Sequence, residues 1–390
     1  MIIWAEADVT EIRTRWTGAV EVLALREDQT TCRALAYTDL VPAPEVGDRL
    51  LLNVAALERG LGTGGYALVI AVLSADGHLK GQPEPPRGHL VKARYLPMQA
   101  MVAGADEQGS PYHELLAGAD SIDGLPVLVA DLHSALAPIV AAIHADRPGT
   151  RVVYLMSDHG ALPLAFSRTV AQLKDAGQLA ATVTAGQAFG GDLEAVNVHS
   201  GLLAAQLALG ADLVVLTQGP GNLGTGTRWG FSGVACGEAV NATAALGGRP
   251  VGSLRISGAD ARPRHRGISH HSLTAYGRVA LCAADLPVPD LAGATRLSGI
   301  ADLGSVAAMA EEVSRAADTL TRHRRVLVDL TGLDAALLAS PVRLSTMGRG
   351  LDADPAYFLA AAASGRLAAQ LLGATPATRA AAEGATAPPG

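Results

Sequence analysis

Charge, aromatic rings and cysteine are all scarce in this chain of 390 residues, and each shortage narrows what the protein can be. Charged residues make up 17% and aromatics 4%, against 49% hydrophobic residues, so a large core has to be built mainly from Ala, Val and Leu. With 30 basic and 37 acidic side chains the formal charge is −7, which argues against general affinity for the phosphate backbone. No nucleic-acid partner is expected, though a local basic site remains open. The three cysteines, Cys32, Cys236 and Cys282, are far apart and show no C-x-x-C spacing. That argues against a disulfide framework or a thiolate zinc site and fits a reducing cytoplasm. The apolar runs are short and broken by Gly, Asp or His, so no membrane span is expected. The opening "MIIWAEADVTEIRTRW" carries acids early and lacks an apolar core of signal-peptide length. A cytoplasmic protein follows as the expectation.

Familiar site motifs are missing as well. There is no H-E-x-x-H, and no repeat of solenoid type, although "LGTG" occurs twice. "GPGNLGTGTRWG" (Gly219 to Gly230) follows the apolar stretch "DLVVLT" and carries two near-matches. Gly219, Gly221 and Gly224 satisfy G-x-G-x-x-G, but Pro220 fills the second position and more loop precedes the helix. Glu238 falls inside that helix and Asp260 lies too far along to hold a ribose, so a dinucleotide site is rejected. Gly221 to Gly226 space like a P-loop, yet Thr227-Arg228 stands where Lys and Ser or Thr are required.

The texture of the chain changes along its length. Residues 1–82 read as a small β domain: "GAVEVLAL", "TCRALAY", "DRLLLNV" and "YALVIAVL" are strand-like, with turn chemistry between them. "GQPEPPRG" breaks regular structure, and 83–124 read as a linker or extended connection. Residues 125–372 alternate near-continuous apolar strands with amphipathic helices. Such alternation predicts an α/β fold, a doubly wound and mostly parallel sheet with Rossmann-like layers, preceded by the barrel-like N-terminal part. Residues 373–390, rich in Ala, Thr, Pro and Gly, read as a disordered tail.

In an open α/β sheet ligands bind beyond the carboxyl ends of the strands, and most of the ionisable clusters fall there. Asp131, His133 and Ser134 follow the first strand of this part; they also suit a helix start. Asp158 and His159 end the second, and "GQAFGGDLEAVNVHS" after the third supplies Asp192, Glu194 and His199. Asp192 and Glu194 serve equally well as helix caps, and His199 as a partly buried core residue. Arg255, Arg262, Arg264 and Arg266 accompany His265, His270 and His271 within seventeen residues of an acidic protein. Arginine forks match anions bidentately, so this segment reads as an anion clamp, with a solvated basic loop as the alternative.

The expected anion cradle is Gly219, Gly221, Gly224, Thr225, Gly226 and Thr227, with close backbone packing as the competing explanation for its glycines. Asp158 with His159, or His270 and His271, are the expected acid–base groups. A divalent metal is an alternative cofactor, with Asp158, His159, Asp192 and His199 as its ligands and no recognisable spacing to support it.

Together, "GLGTGGYALV", "GHLVKARYLPMQ", "DHGALPLAFS", "GQAFGGDLEAVNVHSGL", "GPGNLGTGTRWGFSG" and "RISGADARPRHRGISHHSLTA" resemble a bacterial family catalogued as domain of unknown function 3866. The resemblance runs from Arg15 to Leu372 and implies a bacterial cytoplasmic protein, without implying an activity, cofactor or catalytic residue. The residues themselves lead to an enzyme, a hydrolase or group transferase, that binds a phosphorylated or otherwise anionic small molecule. A metal-dependent hydrolase and a non-catalytic ligand sensor or assembly protein are the two alternatives. In the last of these the N-terminal part contacts a partner, and "GLGTGGYALV" packs on the sheet or on another subunit of a homo-oligomer.

Overall fold

The computed structural model describes residues 2–61, 64–74, 76–81, 88–159 and 162–373. Five strands, β1 (Trp4–Trp16), β2 (Ala19–Arg26), β3 (Thr31–Tyr37), β4 (Arg49–Asn53) and β5 (Ala67–Leu73), close a barrel in the order β1-β2-β3-β5-β4. Its interior is filled by small and medium side chains such as Val9, Val22, Ala24, Ala34, Leu50 and Leu52, as a barrel of few strands requires. The opening segment shows no strand-like run in its sequence, yet β1 extends through it for 13 residues. That strand has charged residues on its outward face and breaks register between Val9 and Glu11 and between Ile12 and Thr14, so no clean alternation survives in the sequence.

After the barrel, β6 (Leu90–Lys92) and β7 (Ala100–Val102) form a short antiparallel pair. The sheet follows: β8 (Pro126–Ala130), β9 (Val152–Ser157), β10 (Ala181–Ala185), β11 (Leu193–Ala195), β12 (Leu213–Gln218) and β13 (Arg249–Gly252). A small antiparallel pair, β14 (Ile256–Ser257) and β15 (Gly267–Ile268), precedes the last two sheet strands, β16 (Asp285–Pro289) and β17 (Arg324–Val328). The sheet has eight strands, all parallel, in the order β11-β10-β9-β12-β8-β13-β16-β17. Every residue of β8, β9 and β12 is buried, which explains their unbroken apolar sequence: both faces are covered by helices. "VALCAADL" is not itself a strand. Ala275–Val279 closes a helix, and the strand starts only at Asp285. Over 355–371, a stretch of small apolar residues, a 17-residue helix, Pro355–Leu371, packs on the helix Leu136–Asp146.

The strand order places the reversal between β8 and β12. The chain leaves β8 towards β9, but leaves β12 across β8 to reach β13. With right-handed crossovers, the two outgoing helices lie on opposite faces and a crevice opens between the carboxyl ends of β8 and β12. The segments after these strands are Asp131–Ser134 and the glycine-rich loop.

Two other contacts shape this edge. Trp16 at the end of β1 donates its indole N–H to the Ala165 carbonyl at 2.7 Å, and the Arg168 guanidinium lies 4.9 Å over the Trp16 ring. Gly18, at φ +78°, allows the β1–β2 turn to press on Ala165; a Cβ there would come 2.8 Å from the alanine methyl. Tyr66 joins this contact through Phe166, so the described part of "GLGTGGYALV" packs on the sheet side, while residues 62–63 lie outside the described residues. The proline-rich break at 82–87 and the tail from 374 onward also lie outside them. No helix among the described residues is long and apolar enough to cross a membrane.

Candidate functional site

Asp131 ends β8 and is buried, its Oδ2 having no hydrogen-bond partner among the described residues. It stands 3.5 Å from His271 Nδ1 and 3.9 Å from Arg255 Nη1. Across the crevice Gln218, the last residue of β12, donates its side-chain amide to the Asp131 carbonyl. The other end of that amide, Oε1, is buried without a partner. Enclosed polar atoms of this kind are rare in folded proteins and call for a partner such as a water, an ion or a ligand. Nothing local in the sequence distinguishes Gln218, which reads as the last residue of an apolar strand.

The glycine-rich loop folds back on itself. Thr225 N–H donates to the Gly230 carbonyl at 2.7 Å, Leu223 N–H to Ser232 Oγ at 3.0 Å, and Gly230 N–H to Thr227 Oγ1 at 3.1 Å. The hydroxyls of Thr225 and Thr227 face each other at 3.1 Å. These groups serve the loop itself and do not form an open nest of donors. Gly219 is buried at the end of the strand, and Gly221 and Gly226 have φ +98° and +82°, which favours glycine at both. Gly226 also meets Arg264: a Cβ added there would lie 3.5 Å from Arg264 Nη2.

The segment from Arg255 to His271 brings its basic residues to this loop. Gly224, Gly226, Arg255, Arg262, Arg264, His265 and His271 share one cavity of about 110 Å³. The arginines in it are not equivalent. Arg262 grips Asp260 with both arms, Nε to Oδ1 at 3.0 Å and Nη2 to Oδ2 at 2.9 Å. Its hydrogen bonds, against the opposing effect of burial, hold the Asp260 carboxyl well below its usual range. Buried Arg255 lies between Asp260, at 3.4 Å, and Asp131. Arg266 donates to the Asp260 backbone carbonyl. Arg264 is exposed and has no carboxylate partner among the described residues. Three arginines and the two carboxylates beside them leave one positive charge at the mouth of the cavity.

The histidines form the inner wall. His265, His270 and His271 pack ring on ring, with centroids 4.5–4.9 Å apart, and Phe231 stacks flat on His271 at 3.8 Å. Burial, with Arg255, Arg262 and His271 beside it, pushes the His265 imidazole down to about 3. Burial and His271 push His270 down to about 4, so both rings are neutral at neutral pH. A larger open cavity of about 620 Å³ adjoins the first, sharing Arg264 and adding Arg228, His270 and Arg278.

The other residues singled out in the sequence are distributed differently. Asp158 pairs with its neighbour His159 at 3.2 Å and accepts the Gln187 N–H. His159 and His199 line a second cavity of about 220 Å³, which lies at the carboxyl ends of β8, β9 and β12 and also takes in Gln218, Ser232, Cys236 and Glu238. Asp192 is engaged elsewhere: it accepts from Lys174 at 2.6 Å and from the N–H and hydroxyl of Thr182. Burial works against its ionisation, but these bonds outweigh it and lower its pKa. Asp158, His159, Asp192 and His199 do not come together as a metal-sized group, because Asp192 is held on the far side of β10 by Lys174. Among the described residues that spacing is met by His265, His270 and His271.

Glu194 pairs at 3.3 Å with Lys92, a fully buried lysine that also donates to the carbonyls of Gly186 and Ala195. This ties the segment after the barrel to the sheet edge, where Ala105 N–H donates to the Glu194 carbonyl. His133 bridges Tyr154 Oη at 3.0 Å and Ser167 Oγ at 2.6 Å, and Ser134 bonds Tyr357 and Thr346. Both are parts of the core lattice.

The fold and this edge define a doubly wound α/β protein that carries an N-terminal barrel and, at the carboxyl edge of its sheet, a basic, histidine-lined cavity. The chain belongs to the family described as Protein of unknown function (DUF3866), whose model matches residues 33–365. Comparison with curated proteins and with solved structures gave no match.

Proposed function

We propose that this protein is an enzyme, a hydrolase or group transferase, that binds a phosphorylated or similarly anionic small molecule in the crevice between the glycine-rich loop and the Arg255–His271 segment. The observation that carries the reading is Arg264: an exposed guanidinium with no carboxylate partner among the described residues, at the mouth of a cavity also lined by Arg255, Arg262, His265 and His271. An unpaired guanidinium offers a planar fork of donors that suits phosphate oxygens. Arg255 and Arg262, each already on a carboxylate, add field and shape. In this reading the loop contributes closeness: Gly226 lets the backbone approach Arg264 and whatever Arg264 holds. Acid–base work falls to His271, backed by Asp131. The Asp158–His159 pair lines another part of the edge.

Calorimetric titration of inorganic phosphate, and separately of a sugar phosphate, into the full chain at low salt tests this. One saturable site is expected, weakened about tenfold or more by Arg264→Ala, a loss of roughly 1.4 kcal/mol. Binding that is absent, or equally tight in the variant, rejects the reading.

A further inference from the structure

His265, His270 and His271 each bring one ring nitrogen into a group whose members all lie within 4.8 Å of one another. We propose that these three histidines bind a divalent transition-metal ion of the zinc type, with its fourth position open to the arginine-lined cavity.

On each ring one nitrogen remains for the ion. His265 Nδ1 is paired with Ser269 Oγ at 2.7 Å, which leaves its Nε2 for the ion. His271 Nδ1 lies 3.5 Å from Asp131 Oδ2 and 3.4 Å from Arg255 Nη1; the tautomer that turns its Nδ1–H to the carboxylate, instead of accepting from the arginine, frees Nε2 for the ion. His270 Nε2 is enclosed and makes no hydrogen bond among the described residues. A polar group holding the far nitrogen of a ligating imidazole is the usual support of a histidine metal site, and a carboxylate is among its commonest forms. Phe231, stacked on His271 with the rings 4° from parallel, fixes that ring further.

The size is right for a small closure. Tetrahedral zinc with nitrogens at about 2.0–2.1 Å sets them about 3.3 Å apart, so the rings need to draw together by about 1.5 Å at most. Three imidazoles without a thiolate suit zinc and its neighbours better than magnesium or calcium, which prefer oxygen. The nearby positive charges do not forbid an ion. Arg255 is flanked by Asp131 and Asp260, and Arg262 is locked on Asp260. His265 and His271 line the same cavity as Arg264, so water or an anionic oxygen reaches the fourth position from there.

The inference makes His271 a ligand in place of an acid–base group, leaves the anion site at Arg264 as it is, and is tested without it. Full-length protein stripped with chelator is dialysed against Zn²⁺ or Co²⁺ and assayed for bound metal. About one ion per chain is expected, and the cobalt form shows the intense visible bands of a tetrahedral nitrogen site. His265→Ala and His270→Ala, each checked for fold by circular dichroism, lower metal affinity at least 100-fold. Asp131→Asn lowers it about tenfold, the lower end of the effect of such support. His89→Ala, on an exposed side chain, leaves it unchanged. Absent cobalt bands in the unmutated protein overturn the proposal whether or not the variants fold, as does uptake undiminished in folded His265 and His270 variants. Phosphate titration of the metal-free protein reads the anion site separately.

Discussion

Asp131 Oδ2 and His271 Nδ1 stand 3.5 Å apart at the carboxyl edge of the sheet, one directly after β8 and the other at the start of the helix His270–Thr274. The two residues are 140 positions apart in sequence, and only the parallel neighbours β8 and β13 bring them together. Loss of the carboxylate leaves buried Arg255 with Asp260 as its remaining ion-pair partner.

Arg262 and Arg264 are two residues apart but are expected to respond in opposite ways. Arg262→Ala removes both arms from buried Asp260 and is expected to cost about 1–3 kcal/mol of stability. Arg264→Ala removes an exposed, unpaired side chain and is expected to change stability by no more than about 0.5 kcal/mol while weakening anion binding. Denaturant titration and calorimetry on both variants check the contrast. Equal stability losses would contradict it.

Gly226→Ala places a methyl on a residue at φ +82° and 3.5 Å from Arg264 Nη2. The left-handed backbone alone costs about 1–2 kcal/mol. The substitution is expected to lower both loop order and anion affinity, whereas Gly224→Ala, at an ordinary φ with only ordinary contacts, is expected to be mild. Hydrogen exchange across 219–231 together with anion titration reads both effects.

Lys92→Met is expected to be among the most damaging changes outside the site. It leaves Glu194 buried without its cation, a loss of about 3–5 kcal/mol for a broken buried pair. Burial already raises the Glu194 carboxyl, so part of that loss is recovered by protonation at low pH. The double variant Lys92→Met with Glu194→Gln is expected to regain stability. A double variant no more stable than the single one would show that the pair is not the cause.

His133 gives the fold a pH dependence. Burial pushes its imidazole from 6.5 down to about 4, so between these values the unfolded chain takes up a proton that the native chain does not. Stability contributed by neutral His133 is therefore fully present above about pH 6.5 and falls as the pH drops towards 4. The loss is on the order of 2–3 kcal/mol. Melting curves from pH 7 to 4.5 should show this slope, to which His265 and His270 add in the same direction, and His133→Gln should reduce it by one proton's share. An unchanged slope would assign the dependence to other groups.

Much of the architecture is legible in the order of residues. Unbroken apolar runs such as "LPVLVADL" and "DLVVLTQG" announce strands buried on both faces, and the polar residues that follow them announce the edge where a crevice opens. Less legible were β1, whose exposed charged face and register breaks hide its period, and β11, only three residues long. The role of the segment after the barrel depends on Lys92, which looks like any surface lysine until its partner Glu194, more than 100 residues later, is placed beside it.

By itself, then, the sequence determined the layering, the sheet edge and the composition of its basic segment, because hydrophobic period and turn chemistry are local properties. Which charges survive at that edge was decided only by the tertiary structure. Asp260 takes Arg262, Lys174 takes Asp192, and Tyr154 and Ser167 hold His133, while among the described residues Arg264 is left without a carboxylate and three histidines are left facing one another. The physical reason is that ion pairs and hydrogen bonds depend on distance, and distance between residues far apart in the chain exists only once the strands have taken their order.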